Sequence, residues 1–284
     1  MLSLVRRILR SLPASVLGAL ILVTSNVPQA HAANSLQQKL IKASDPKTNG
    51  DYTFESCREV QKQPFDLTSN KKKVLIIGDS QACDFLNGIR ENGYWQDYQI
   101  RMRYIPYRCQ PVFGSAVQQL ADPKDRAFCA EPERADSLAQ AKEQVAMADV
   151  IIMASRWKPV TAQMLPKTLH SMALKPSQKV IVIGSKFFGK ITVRQYLHMS
   201  ADKLEMLRND VGDEAQDINQ ILDEVLDKQA IFVNQQNLVC GEPTSCPLFT
   251  SDLNLISYDG RHLTQAGARH VGKVLFQKSA LGKL

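Results

Sequence analysis

Short apolar runs alternate with amphipathic stretches along most of the chain. Val74-Leu75-Ile76-Ile77, Val150-Ile151-Ile152-Met153-Ala154, Val180-Ile181-Val182-Ile183 and Ile231-Phe232-Val233 are uninterrupted apolar segments, the pattern of strands buried on both faces. Tyr98, Ile100, Met102 and Tyr104 alternate with Gln99, Arg101 and Arg103, which is the period of a strand. Helices are predicted over 81–92, 134–147, 161–172, 213–228 and 264–276. In 213–228, Ile218, Ile221, Leu222 and Val225 form one stripe, and Thr264 is placed to cap the last helix. Strand and helix in alternation mean βαβ units, so the predicted fold is α/β: a three-layer sandwich with a mostly parallel central sheet. Ligands of such sheets lie outside the carboxyl ends of the strands, and chemistry is therefore to be sought just after each apolar run.

Both ends of this pattern need separate reading. Residues 1–32 read as a signal peptide: Arg6, Arg7 and Arg10 without an acid, an apolar run over Leu12–Val23, and Ala30-His31-Ala32 as a small-x-small cleavage site. The run is shorter than the roughly 20 residues a spanning helix needs, so export is expected, to the periplasm or cell envelope. Residues 33–70 are polar, with no sustained period, and read as a leader wrapping onto the domain formed by residues 71–284. Lys71-Lys72-Lys73 sits in solvent at the start of the first strand.

With 44% hydrophobic and 22% charged residues, the chain falls outside the disordered, collagen-like and coiled-coil classes. The net charge of +7 drops by three without the leader arginines, too mild for a dedicated nucleic-acid binder. In an exported chain the six cysteines point to structural disulfides, although 15 connectivities are open to them. Closeness across the turn-forming 241–245 favours Cys240 with Cys246; Cys109 with Cys129, closing a loop with Pro and Gly, is next, and Cys57 with Cys83 follows by elimination. Zinc is disfavoured because no C-x-x-C pair or histidine cluster accompanies the thiols. No G-x-G-x-x-G follows any strand, so no nucleotide cofactor is implied.

The first apolar run ends in Gly78-Asp79-Ser80. Ser80 thus falls where a strand's carboxyl end meets a helix N-terminus, whose free N–H groups and positive partial charge suit an oxyanion. Asp and Ser are also routine helix caps, so the tripeptide alone carries little. Of the five histidines, His31 leaves with the signal; His170 and His198 read as partly buried or surface helix residues, and His270 has no carboxylate partner nearby. His262 lies three residues after Asp259, on the loop entering the last helix. Asp259 can there accept from Nδ1–H and turn Nε2 toward Ser80.

Jointly these residues resemble the SGNH family of GDSL-type esterases and acyltransferases, in which a Gly-Asp-Ser block supplies the nucleophile and an Asp-x-x-His block near the C-terminus supplies acid and base. The flanks Val74 to Ser80 and Asp259-Gly260-Arg261-His262-Leu263-Thr264-Gln265-Ala266-Gly267-Ala268 look like the SGNH domains appended to acyltransferase-3 membrane proteins, and Ala154-Ser155-Arg156-Trp157 resembles that subgroup's Ala-Arg-Trp with one residue inserted. The resemblance implies a flavodoxin-like sheet of about five strands, a Ser80–His262–Asp259 triad and no cofactor or metal. It implies an acylated carbohydrate or other small ester as substrate, with O-acetyl groups on envelope glycans foremost, and a membrane protein as acyl donor if the reaction is a transfer. The family's Gly-x-Asn-Asp block has no counterpart after the second apolar run, where Ser155-Arg156-Trp157 stands. Oxyanion candidates are therefore Ser80 itself, Gly114 and Arg156. The altered block also keeps open a non-catalytic glycan-binding or assembly module on the same fold.

Overall fold

A computed structural model of the chain describes residues 27–113, 121–241 and 244–284. Lys39–Leu284 form one compact unit. The arginines and apolar run of the expected signal peptide lie outside the described residues. Among those described, no helix is long and apolar enough to cross a membrane.

Five strands form one parallel sheet: β1 (Lys72–Gly78), β2 (Tyr98–Tyr104), β3 (Val150–Ala154), β4 (Lys179–Ile183) and β5 (Ile231–Val233), in the order β2-β1-β3-β4-β5. This is the flavodoxin-like arrangement that the family resemblance implied. Val74 and Ile76 point to one face, where they pack with Ala82, Phe85, Leu86, Val271 and Leu275. Leu75 and Ile77 point to the other, with Leu138, Trp157, Leu165 and Leu222. The central strand is buried on both sides because alternate residues serve two separate helical layers.

The expected helices form, with altered ends. α3 (Ser80–Glu91) starts directly from β1; α4 (Leu138–Met147) is capped by Ser137; α5 (Glu214–Leu226) and α6 (Gln265–Lys278) follow, the last capped by Thr264, whose hydroxyl accepts from Gly267 N–H at 3.0 Å. The stretch 161–172 splits into Pro159–Gln163 and Leu165–Ser171, since Pro166 suits a first turn and not a helix interior.

Residues 33–70 differ from the reading as an aperiodic leader. They contain most of α1 (Val27–Ala43) and all of α2 (Pro46–Val60). Asp45 caps α2 by accepting from the N–H of Lys47 and Thr48, and Pro46 occupies its first position. The buried face of α2 is Asn49, Thr53 and Cys57, an i, i+4 stripe written in small and polar residues. A hydropathy pattern does not register such a stripe. Cys57 is joined to Cys83 of α3; Cys109–Cys129 and Cys240–Cys246 are the other disulfides.

Candidate active site

In this strand order the chain leaves β1 for β2 on one side and later enters β3 on the other, so a crevice opens between the carboxyl ends of β1 and β3. Gly78 stands at its floor with φ +154°, and a Cβ there would lie 1.7 Å from the Ala154 carbonyl oxygen. Only glycine lets the strands approach this closely. Asp79 follows, fully buried, and ties the crevice together: it accepts from Gln81 N–H at 2.9 Å, from Ser155 Oγ–H at 2.7 Å and from Arg156 N–H at 2.9 Å. Burial pushes its pKa above the ordinary carboxylate value, while those hydrogen bonds oppose the shift.

Ser80 is the first residue of α3. Its N–H has no partner among the described residues, as expected for a first-turn amide. Across the crevice, Asp259 forms a tight turn in which its Oδ1 accepts from the N–H of Arg261 at 2.8 Å and of His262 at 2.7 Å. An Asx-type turn thus brings the two side chains together. Asp259 Oδ2 lies 2.6 Å from His262 Nδ1, and His262 Nε2 lies 2.8 Å from Ser80 Oγ. Burial raises the Asp259 pKa, but hydrogen bonds from the His262 ring and backbone outweigh it and hold the group at about 2. An ionised carboxylate only accepts, so Nδ1 carries the ring proton and Nε2 is left to accept from Ser80 Oγ–H. Burial lowers the His262 pKa, yet the hydrogen bond to Asp259 and the charges of Asp84 and Asp259 leave it raised.

The fit between α3 and α6 sets this meeting. Gly88 and Gly272 face each other where the helices cross; a Cβ on Gly272 would lie 2.5 Å from the Gly88 carbonyl oxygen. Because Thr264 caps α6, bringing α6 against α3 also brings His262 to Ser80. A second tie is Asp84, one turn after Ser80, whose Oδ1 accepts from Leu263 N–H at 3.2 Å. Its Oδ2 accepts from Lys186 Nζ at 2.8 Å in a pair that is 1% and 3% exposed. Gln81, Gln235 and Lys186 continue this buried network.

Sequence reasoning did not single out Asp84 or Lys186. Lys186 lies just after the β4 run, at a carboxyl end where function is expected, and that position was the available signal. Nor did it single out the aromatic walls. Tyr258 stacks beside His262 at 5.8 Å, and Phe54 of α2 lies 6.5 Å from the same ring and edge-on to Tyr104.

The oxyanion candidates fare differently. Gly114 lies outside the described residues. The Arg156 N–H is taken by Asp79, and its guanidinium contacts Glu214 at 3.1 Å and lies over the Tyr107 ring. Trp157 is buried, donating from Nε1 to Ile183 O at 3.0 Å. His270, on α6, has its pKa lowered by burial.

Residues 41–277 match the model of the SGNH domain family, of the kind fused to AT3 domains. The chain belongs to that SGNH family. Among solved structures, the periplasmic domain of a lipopolysaccharide acetyltransferase from Salmonella ser. Paratyphi A is similar with a TM-score of 0.54 and 16% identity, over 84% of this chain and 98% of that one. A protein described as a putative platelet activating factor from Streptococcus pneumoniae matches at TM-score 0.40, with 15% identity over 87% and 98% of the two chains. The C-terminal catalytic domain of peptidoglycan O-acetyltransferase A from Streptococcus pneumoniae matches at 0.37, with 9% identity over 75% and 94%. No curated protein matches the sequence. In this SGNH chain the segment from 41 to 70, read from its composition as a leader, falls inside the family match and contains α2.

Proposed function

We propose that this SGNH domain is an exported serine-dependent acyl transferase or esterase acting on O-acetyl groups of envelope glycans. Family membership carries the enzyme class: ester hydrolysis and acetyl transfer. The catalytic roles rest on the continuous chain from Ser80 Oγ through His262 to Asp259, at 2.8 and 2.6 Å, between groups 182 positions apart.

In this reading Ser80 Oγ attacks the ester carbonyl as His262 Nε2 removes its proton, and the imidazolium is stabilised by Asp259. The Ser80 N–H and the positive end of α3 face the developing oxyanion. His262 returns the proton to the leaving alcohol, leaving an acyl-serine. Water or a sugar hydroxyl then gives its proton to His262 and takes the acyl group, and Ser80 is regenerated. The kinship with domains fused to AT3 membrane proteins supports a membrane partner as acyl donor. The structurally similar lipopolysaccharide acetyltransferase domain supports a periplasmic glycan as the other substrate.

Labelling of the folded chain with a fluorophosphonate tests the nucleophile. We expect modification at Ser80 alone, and a fall in esterase kcat of about 10³-fold or more in Ser80→Ala with unchanged Tm. Full activity in that variant would discard the assignment. A folded chain that neither labels nor cleaves p-nitrophenyl acetate would fit the non-catalytic glycan module instead.

A further inference from the structure

Two arginines belong to the segments that carry or hold the proposed catalytic residues. Arg156 is held beside Ser80 through its N–H bond to Asp79, the residue before the serine. Arg261 directly precedes His262, and its guanidinium lies over the Phe187 ring at 4.7 Å. Both line one surface cleft together with Ser185, Phe187 and Glu214. Lys158 adds a third cation, since its Nζ and the Arg156 guanidinium sit over the same Tyr107 ring at 5.2 and 4.7 Å. Asp259 is occupied by His262 and the backbone N–H of Arg261, and Glu214 is the acid that contacts Arg156 in this cleft.

The hydrogen bonding of Arg156 is incomplete. Its Nη2 donates to Glu214 Oε1 at 3.1 Å, whereas its buried Nε has no acceptor. Nε–H and one Nη–H form the side-on fork that a carboxylate fills with two oxygens; Glu214 fills half of it. The Glu214 side chain is 57% exposed and stands at the start of α5, so it can swing into water when another anion arrives. From this we propose that the Arg156–Arg261 cleft receives a carboxylate of the substrate, and that the enzyme acts on esters of acidic sugars in preference to neutral ones. The inference rests on the catalytic reading above for its position beside the reacting ester. It does not need that reading for binding.

Matched substrates test it: an O-acetylated methyl glucuronoside against the corresponding O-acetylated methyl glucoside, followed by acetate release at low ionic strength. The uronoside is expected to have a kcat/KM at least about tenfold higher, the scale of one charge-assisted hydrogen bond. Arg156→Gln and Arg261→Gln should each shrink that ratio, mainly through KM for the uronoside. Glu214→Gln, which removes the competing anion, should enlarge it. Equal kcat/KM for the two substrates in the wild-type chain, or a smaller ratio in Glu214→Gln, overturns the proposal. Calorimetric titration of the Ser80→Ala chain with methyl glucuronoside and methyl glucoside separates the two readings. Selective binding of the uronoside, when the wild-type chain shows neither turnover nor fluorophosphonate labelling, refutes the catalytic role and keeps the anion site; equal binding, or none, refutes the anion site whatever the wild-type turnover.

Discussion

The two ends of α3 are built from opposite materials. At its start, Ser80, Gln81 and Asp84 join Lys186, Gln235 and His262 in a network of charges and amides, most of them buried. At its end, Phe85 and Ile89 meet an aromatic cluster in which Tyr94 stacks on Phe276 at 4.0 Å and Trp95 meets Phe276 edge-on at 5.0 Å. A hollow of about 630 Å³ lies beside that cluster, lined by Tyr94, Trp95, Tyr98 and Leu284. It is far roomier than the cleft between Arg156 and Arg261, yet it holds no triad. Size alone does not mark a reactive site; convergent hydrogen-bonding groups with shifted pKa values do.

The comparison breaks most sharply at the polar end, in rate. Asp259→Asn removes the acceptor that fixes the His262 tautomer, so kcat should fall by on the order of 10³–10⁴-fold with the fold retained. A loss under tenfold would remove Asp259 from the mechanism. Stability comes next. Lys186→Met leaves Asp84 buried and unpaired, and should cost about 3–5 kcal/mol in denaturant unfolding. The double variant Asp84→Leu with Lys186→Met should recover most of that loss, because apolar packing replaces an expensive pair. If the double variant is no more stable than the single one, the loss of the Asp84 bond to Leu263 N–H outweighs the relief of the buried pair.

At the aromatic end the expectation reverses. Phe276→Ala should cost a similar 3–5 kcal/mol through lost packing, with kcat per folded molecule unchanged. A drop in kcat at constant folded fraction would mean that the α3–α6 fit reaches the triad from its far end as well.

The same contrast explains what the sequence made legible. The sheet could be read because Val74–Ile77, Val150–Ala154 and Val180–Ile183 must be apolar on both faces and alternate with helices, which makes it mostly parallel; its flavodoxin-like form was implied by the family resemblance. The strand-end position of Ser80 and the pairing of Asp259 with His262 could be read locally; that the two segments meet was implied by the resemblance to the SGNH family and by no local feature. Asp84 and Lys186 were not legible: 102 positions apart, each reads as an ordinary charged residue until the fold buries both. The same holds for α2, whose buried stripe of Asn49, Thr53 and Cys57 has no hydropathy period, and for Phe54, whose proximity to His262 depends on where that helix packs.

The smallest effect tests the polar end most finely, through pH. In the proposed mechanism His262 acts as base when neutral, so kcat/KM should rise with pH through its pKa, and because that pKa is raised the acid limb should lie above the ordinary histidine value of 6.5. The Asp84 charge raises it and the Lys186 charge lowers it, the former more strongly. Asp84→Asn therefore moves the limb to lower pH, because the larger of the two opposing charges has been removed. At the aromatic end, Trp95→Phe should leave the limb where it is. Measuring kcat/KM of a neutral ester from pH 5 to 9 checks both. A limb that stays fixed in Asp84→Asn would reduce Asp84 to a mechanical tie on Leu263, whereas a limb that also moves in Trp95→Phe would show that the two ends of α3 are not independent.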